Sequence, residues 1–335
     1  MLLCSESPAG CIYINGNDVK EKIVFILKYV FGFGLLIWLF TRFDTVEIFA
    51  VMISFDWYII GMLLVLVFLN IYMQFYRWQY LVSSHSTDYQ VKDLLPSFFA
   101  GFALRMMIPG GYAEVSKVLL MPGKKRGKVV AFGLEKYFET YIKLMLVLFA
   151  LPFVIKSYSR YFWILTILGV AAYFAFPRLL RTKYLIKLQE KDIKYHGLFF
   201  KTLLFTILIF SLLMAQYALL LNNLGHLELN KTIVAVIFIW GGGLIPVTVS
   251  GVGVRENLAV YFLGQYGIPA ETAVGVSLLI FFLNALVPAA IGMVFIIRKR
   301  KELKTAGSDF RQATKKILTQ FNENRKIKKA QKSVK

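Results

Sequence analysis

Six stretches of this chain stay predominantly apolar for 17 residues or more: 23–41, 57–75, 129–155, 161–177, 198–222 and 270–297. A helix rising about 1.5 Å per residue needs about 20 such residues to cross a hydrocarbon core about 30 Å thick. Length alone therefore sets the solvent: these segments fold in lipid. The chain is 58% hydrophobic and 17% charged, whereas soluble domains carry about a quarter charged residues. The expected fold is an all-α polytopic membrane protein, with a polar leader over 1–22, one membrane domain over 23–300 and a basic tail over 301–335. The run from Ile23 lacks a small-residue cleavage site and reads as an anchor rather than a signal peptide.

Two more apolar stretches cannot be continuous helices. Residues 94–121 are broken by Pro109, Gly110 and Gly111, and residues 232–264 by Gly241, Gly242, Gly243, Pro246, Gly251 and Gly253. Proline removes a backbone donor, and glycine weakens the helix. At membrane depth such backbone survives only where protein buries it or a wet cavity receives it. Six full transmembrane helices and two broken or re-entrant segments are thus predicted.

Cytoplasmic loops collect Lys and Arg. With the N-terminus inside and both broken segments re-entrant, the inside holds 28 basic residues, including Arg77 and Lys92, and the outside holds four. Both termini are then cytoplasmic, and the broken segments enter from opposite faces, as in transporters built from inverted repeats. The tail from Arg298 to Lys335 carries 14 basic and 3 acidic residues. There Phe310, Ile317, Leu318 and Phe321 can form one helical face, suited to an anionic leaflet, although a solvated disordered tail fits equally.

The informative charges are those in the apolar body. A charge near the bilayer centre costs on the order of 3 kcal/mol, yet Lys28, Arg105, Lys117, Lys136, Lys143, Lys201 and Arg255 remain there with Glu114, Glu135, Glu139 and Glu256. Glu114 and Lys117 follow the first break, and Arg255 and Glu256 follow the second. Glu135, Glu139 and Lys143 fall at i, i+4 and i+8 on one helical face beside Lys136, with Glu139 about 15 Å into the span. A polar cavity is expected, in which Arg105, Lys117, Lys143 and Arg255 offer donors to a phosphate-like group. The helix N-termini after both breaks are expected to add free N–H groups. The acids balance those cations, meet a positive headgroup or carry protons; helix glue is the alternative reading of the same pairs.

Other features carry less. Cys4 and Cys11 define neither a disulfide framework nor a metal site. His85, His196 and His226 fall in predicted loops with no metal spacing, and no metal or other cofactor is expected. Trp57, Trp78 and Trp163 read as an interfacial belt rather than a nucleic-acid platform. No Walker sequence is present, so any transport runs downhill or on an ion gradient or potential.

The segments IPGGYAEVSKVLLM, AFGLEKYFETYIK and PVTVSGVGVRENLAVYFLGQYGIPAETAVGVSLL resemble the transmembrane region of the lysylphosphatidylglycerol synthase family, the flippase-like UPF0104 membrane proteins. The resemblance spans roughly Ile23 to Arg300. Its first motif matches Pro109, Gly111, Glu114 and Lys117, its acid–base pair matches Glu135 and Lys136, and its second turn matches Gly251, Gly253, Arg255 and Glu256. Where members often carry an arginine on the last helix, this chain has Asn284 in a neutral stretch. The resemblance implies a lipid-handling domain of the cell (inner) membrane that moves phospholipid between leaflets. In full-length synthases a separate soluble domain attaches the amino acid, and the expectation here is a stand-alone module that makes no lysyl-lipid. Three functions fit these residues: a translocator of phospholipid or lipid-linked anion, a membrane-embedded transferase using Glu135 or Glu139 as base, and an accessory subunit positioning a partner membrane enzyme.

Overall fold

The computed structural model describes residues 41–107, 113–123, 125–179, 195–225, 228–244, 248 and 251–298, with Gly34, Ile37 and Trp38 ahead of them. Among the described residues the secondary structure is helical and no strand occurs. Helix α1 (Thr45–Ile53) begins at Asp44, whose carboxylate accepts from the Val46 and Glu47 N–H groups at 2.8 and 3.4 Å. It is followed by α2 (Trp57–His85), α3 (Val91–Met107), a 3₁₀ turn at Ala113–Val115 leading into the short α4 (Ser116–Leu119), α5 (Arg126–Val154) and α6 (Ser159–Leu179). The second half comprises α7 (Tyr195–Gly225), α8 (Leu229–Gly241) with a 3₁₀ turn at Gly242–Leu244, α9 (Val254–Gly264), α10 (Ala270–Phe281) and α11 (Val287–Arg298). One π-helical turn, Phe282–Leu286, joins the last two helices into a single rod.

Among the described residues, four helices are long and apolar enough to cross a membrane: Trp57–His85, Arg126–Val154, Tyr195–Leu224 and Ala270–Arg298. The expected span 161–177 forms the 21-residue α6. Most of 23–41, with Lys28 and the leader, lies outside the described residues, as do the tail, Pro109, Gly110, Gly111 and His226. Large apolar side chains such as Phe68, Phe174, Ile167 and Phe200 are more than 65% exposed. A soluble monomer rarely exposes so much apolar surface, whereas lipid is its natural neighbour.

Helix α2 runs ten residues past its expected end, which corrects three expectations. Arg77 is no loop residue: it is buried inside α2 at 4% exposure. Trp78 is fully buried rather than interfacial, and His85 is fully buried at the last position of α2, with Nδ1 2.7 Å from the Leu81 carbonyl. His196, also expected in a loop, lies in α7. The belt reading fits Trp57, which is 86% exposed.

Both broken segments fold back on themselves. Beyond residues 108–112, the turn and α4 pack against α3, with Lys117 opposite Gly101 and Glu114 opposite Arg105. Beyond Leu244, α9 packs against α8, where the Phe238 and Phe262 rings stack at 4.5 Å. The two hairpins occupy different halves of the bundle. The first joins a core with Trp78, Leu81, Phe132, Phe138 and Leu198, and the second joins one with Ile59, Leu63, Ala150, Leu220 and Leu279. Helices α3 and α11 approach closely because Gly292 has no side chain, and a Cβ there would lie 2.0 Å from the Phe99 carbonyl oxygen.

Candidate functional site

The first hairpin and α5 exchange charges through two separate networks. Lys117 pairs with Glu135, its ammonium 3.9 Å from the centre of the Trp78 ring, and both charged residues are nearly inaccessible. The other network is continuous. Arg105 Nε donates to Glu114 Oε1 at 2.5 Å, and Lys136 Nζ lies 2.5 Å from Glu114 Oε2 and 3.0 Å from Glu139 Oε2. Lys143 closes the chain at 3.0 Å from Glu139 Oε1, with its ammonium 3.9 Å above the Trp240 ring. The expected common face of α5 therefore divides. Each residue turns the helix by about 100°, so Glu135 meets the returning limb of the hairpin while Lys136, Glu139 and Lys143 line the bundle interior.

The second hairpin contributes Arg255 and Glu256. Gly251 and Gly253 both adopt left-handed backbone, with φ of 77° and 83°, which glycine accepts without strain. This turn sets Glu256 three residues into α9, where its fully buried Oε2 accepts the Gly253 N–H at 2.7 Å. Its Oε1 accepts Arg255 Nη2 at 2.5 Å, and Arg255 Nε donates to Ser277 on α10 at 3.2 Å. The guanidinium also sits 4.3 Å from the Phe281 ring centre. The N–H groups expected to await an anion are differently arranged. Glu256 supplies the capping carboxylate itself, and the helix after the first break has only four residues. A buried carboxylate at a helix start satisfies the same donors and dipole that an anion would.

A cavity of about 370 Å³ lies between the hairpins. From the expected set it receives Arg105, Glu114, Lys136, Glu139, Lys143, Gly251, Arg255 and Asn284. Lys117, Glu135, Gly253 and Glu256 stand behind its wall. Asn284 lies on the π turn, which aims its Nδ2 at Gln216 Oε1 on α7 at 2.6 Å. Among the described residues five cationic side chains and two carboxylates line the space, with Glu256 behind Arg255 as a third acid. The expected set missed Asn70, Gln74, Arg77 and Thr248 on this wall. A signal existed: Asn70, Gln74 and Arg77 recur at i, i+4 and i+7, the spacing of one stripe on an otherwise apolar helix. Among the described residues, no group of three or more His, Cys, Asp or Glu side chains is arranged to hold a metal ion.

Among curated proteins, none matches the chain significantly. The family described as "Lysylphosphatidylglycerol synthase TM region" matches residues 25–292, which include both hairpins and every residue of the charged networks. A multi-pass helical bundle, two opposed hairpins and a match over most of its length agree: the chain belongs to the lysylphosphatidylglycerol synthase TM region family.

Proposed function

We propose that this protein moves a phospholipid or another lipid-linked anion between the leaflets of the cell (inner) membrane, passing the headgroup through the charged cavity while the acyl tails stay in lipid. The observation that carries the reading is the meeting, at one cavity, of ion pairs from two hairpins in opposite halves of an apolar bundle. Glue between helices needs neither a cavity nor a surplus of cations. A headgroup anion needs both, because a bare charge in hydrocarbon is prohibitively unstable. Arg105, Lys136, Lys143 and Arg255 supply charge-assisted donors, and Glu114, Glu139 and Glu256 hold those donors in place when the cavity is empty. With both termini cytoplasmic, the basic tail contacts the anionic leaflet.

The test is leaflet exchange of a fluorescent phosphatidylglycerol in vesicles reconstituted with the full chain. Glu114→Gln, Arg255→Gln and Glu256→Gln are each expected to slow exchange by about tenfold or more, the effect of about 1.4 kcal/mol, while the protein still elutes as a folded species. Wild-type rates in all three variants would overturn the reading.

A further inference from the structure

Arg77 stands apart from every other cation on the cavity wall. Arg105, Lys136, Lys143 and Arg255 each contact a carboxylate at 2.5 to 3.0 Å. Among the described residues Arg77 has no carboxylate within ion-pair distance, although it is only 4% exposed and lines the cavity. Its Nη1 donates to Thr206 Oγ1 on α7 at 3.1 Å, and its buried Nε–H has no partner. The Thr206 hydroxyl gives its own proton to the Thr202 carbonyl at 2.7 Å, so a lone pair is left to receive Arg77. The guanidinium is thus oriented by α7; Glu139 on α5 feels its charge through space but forms its direct ion pairs with Lys136 and Lys143.

A guanidinium keeps its charge in proteins and presents five donors in a planar fork that matches a carboxylate or phosphate. Buried without a direct ion pair it costs stability, and helix packing offers no return for that cost. Asn70 and Gln74, on the same stripe of α2, extend the polar wall: Asn70 Nδ2 donates to the Ile209 carbonyl at 2.8 Å and Gln74 Nε2 to Asn70 Oδ1 at 2.6 Å. We infer that Arg77 is the cavity's anion anchor, a residue whose counter-ion is the oxyanion of the bound headgroup, received on the α2–α7 wall opposite the hairpins. The assignment rests on the cavity being a headgroup site and adds the residue that the anion engages there.

The experiment compares the purified full chain with Arg77→Gln, Arg77→Lys, Thr206→Val and Arg255→Gln, measuring the melting temperature and the binding of dioctanoyl phosphatidylglycerol, with uncharged dioctanoylglycerol as reference. Removing a buried charge that no direct ion pair holds is expected to leave the unliganded Arg77→Gln protein as stable as wild type or more so. The same change should weaken phosphatidylglycerol binding by about tenfold or more and abolish the stabilisation that this lipid confers. Arg77→Lys, which keeps the charge without the fork, should lose part of the affinity. Thr206→Val, which removes the partner that orients the guanidinium but leaves its charge, should weaken binding less than Arg77→Gln does. If Arg77 merely tied α2 to α7, Arg77→Gln and Thr206→Val would melt lower together and lose affinity together, and the assignment would fall. Unchanged binding in Arg77→Gln would also overturn it, while loss of binding in Arg255→Gln in the same series would leave the headgroup site standing. A wild-type protein that neither exchanges lipid nor prefers the charged probe would overturn both.

Discussion

Lys117 and Glu135 illustrate how far a matched residue type falls short of a role. Both lie within the span matched by the family, but they face each other under Trp78, at 3% and 6% exposure, away from the cavity. Breaking a buried pair by removing one partner costs about 3–5 kcal/mol, whereas replacing both with apolar groups of similar volume is often neutral. Lys117→Met alone and Glu135→Met alone are therefore expected to destabilise the protein by about that amount in denaturant melts. The double variant should recover most of it and retain lipid exchange. Loss of exchange in a stable double variant would place this pair in the transport path. Glu114, Lys136 and Glu139 behave differently, because each of these charges is shared between two partners, and single substitutions there disturb the whole chain of bonds.

Helices meet here through small residues and local departures from regularity. Gly292 lets α11 lie against the backbone of α3 at Phe99, and Gly127 lets α5 pass the His85 carbonyl, which a Cβ would approach to 2.1 Å. Gly292→Ala is expected to lower stability by about 1–3 kcal/mol through overpacking, read as a fall in melting temperature. Gly133→Ala on α5, where a Cβ meets nothing within 4 Å, should instead raise stability by roughly 0.5–1 kcal/mol. Equal effects of the two changes would contradict the close approach of α3 and α11. The π turn at Phe282–Leu286 is the corresponding irregularity on the last rod. Its i→i+5 pattern inserts a residue into the register and brings Asn284 to the cavity, where such turns often mark functional positions.

The two hairpins belong to different halves of the bundle, and residues of both line one polar cavity. His85, Gly127 and Tyr195 cluster at one end: Gly127 packs on the His85 carbonyl, and the His85 and Tyr195 rings lie 6.1 Å apart. The basic excess of the loops is the ground on which we propose that this end faces the cytoplasm. With Cys4 and Cys11 replaced by Ser, Gln90→Cys is expected to react with an impermeant maleimide only after cells are permeabilised. Ser157→Cys, at the far end of α5, should react in intact cells. Both positions are exposed, so a reversed pattern would invert the orientation rather than report burial.

The solvent, the helical class and the two breaks were legible in the amino-acid order because each depends on local quantities: run length, the missing N–H of proline and the conformational freedom of glycine. So was the cluster of acids and bases flanking the breaks, since a charge in an apolar run stands out wherever the chain places it. Partnership was not legible. Glu135 was expected beside Glu139 but meets Lys117, and Glu256 caps its own helix instead of leaving the N–H groups open. Arg77, assigned to a loop by its charge, is a buried residue of the cavity wall because α2 extends past it. Hydropathy averages along the chain, whereas a side chain's environment depends on helix rotation and on neighbours far away in sequence. The bond from Asn70 to Ile209 joins positions 139 residues apart. Packing, by turning each helix to a definite angle against distant neighbours, separates the charges that line a cavity from those that hold its walls.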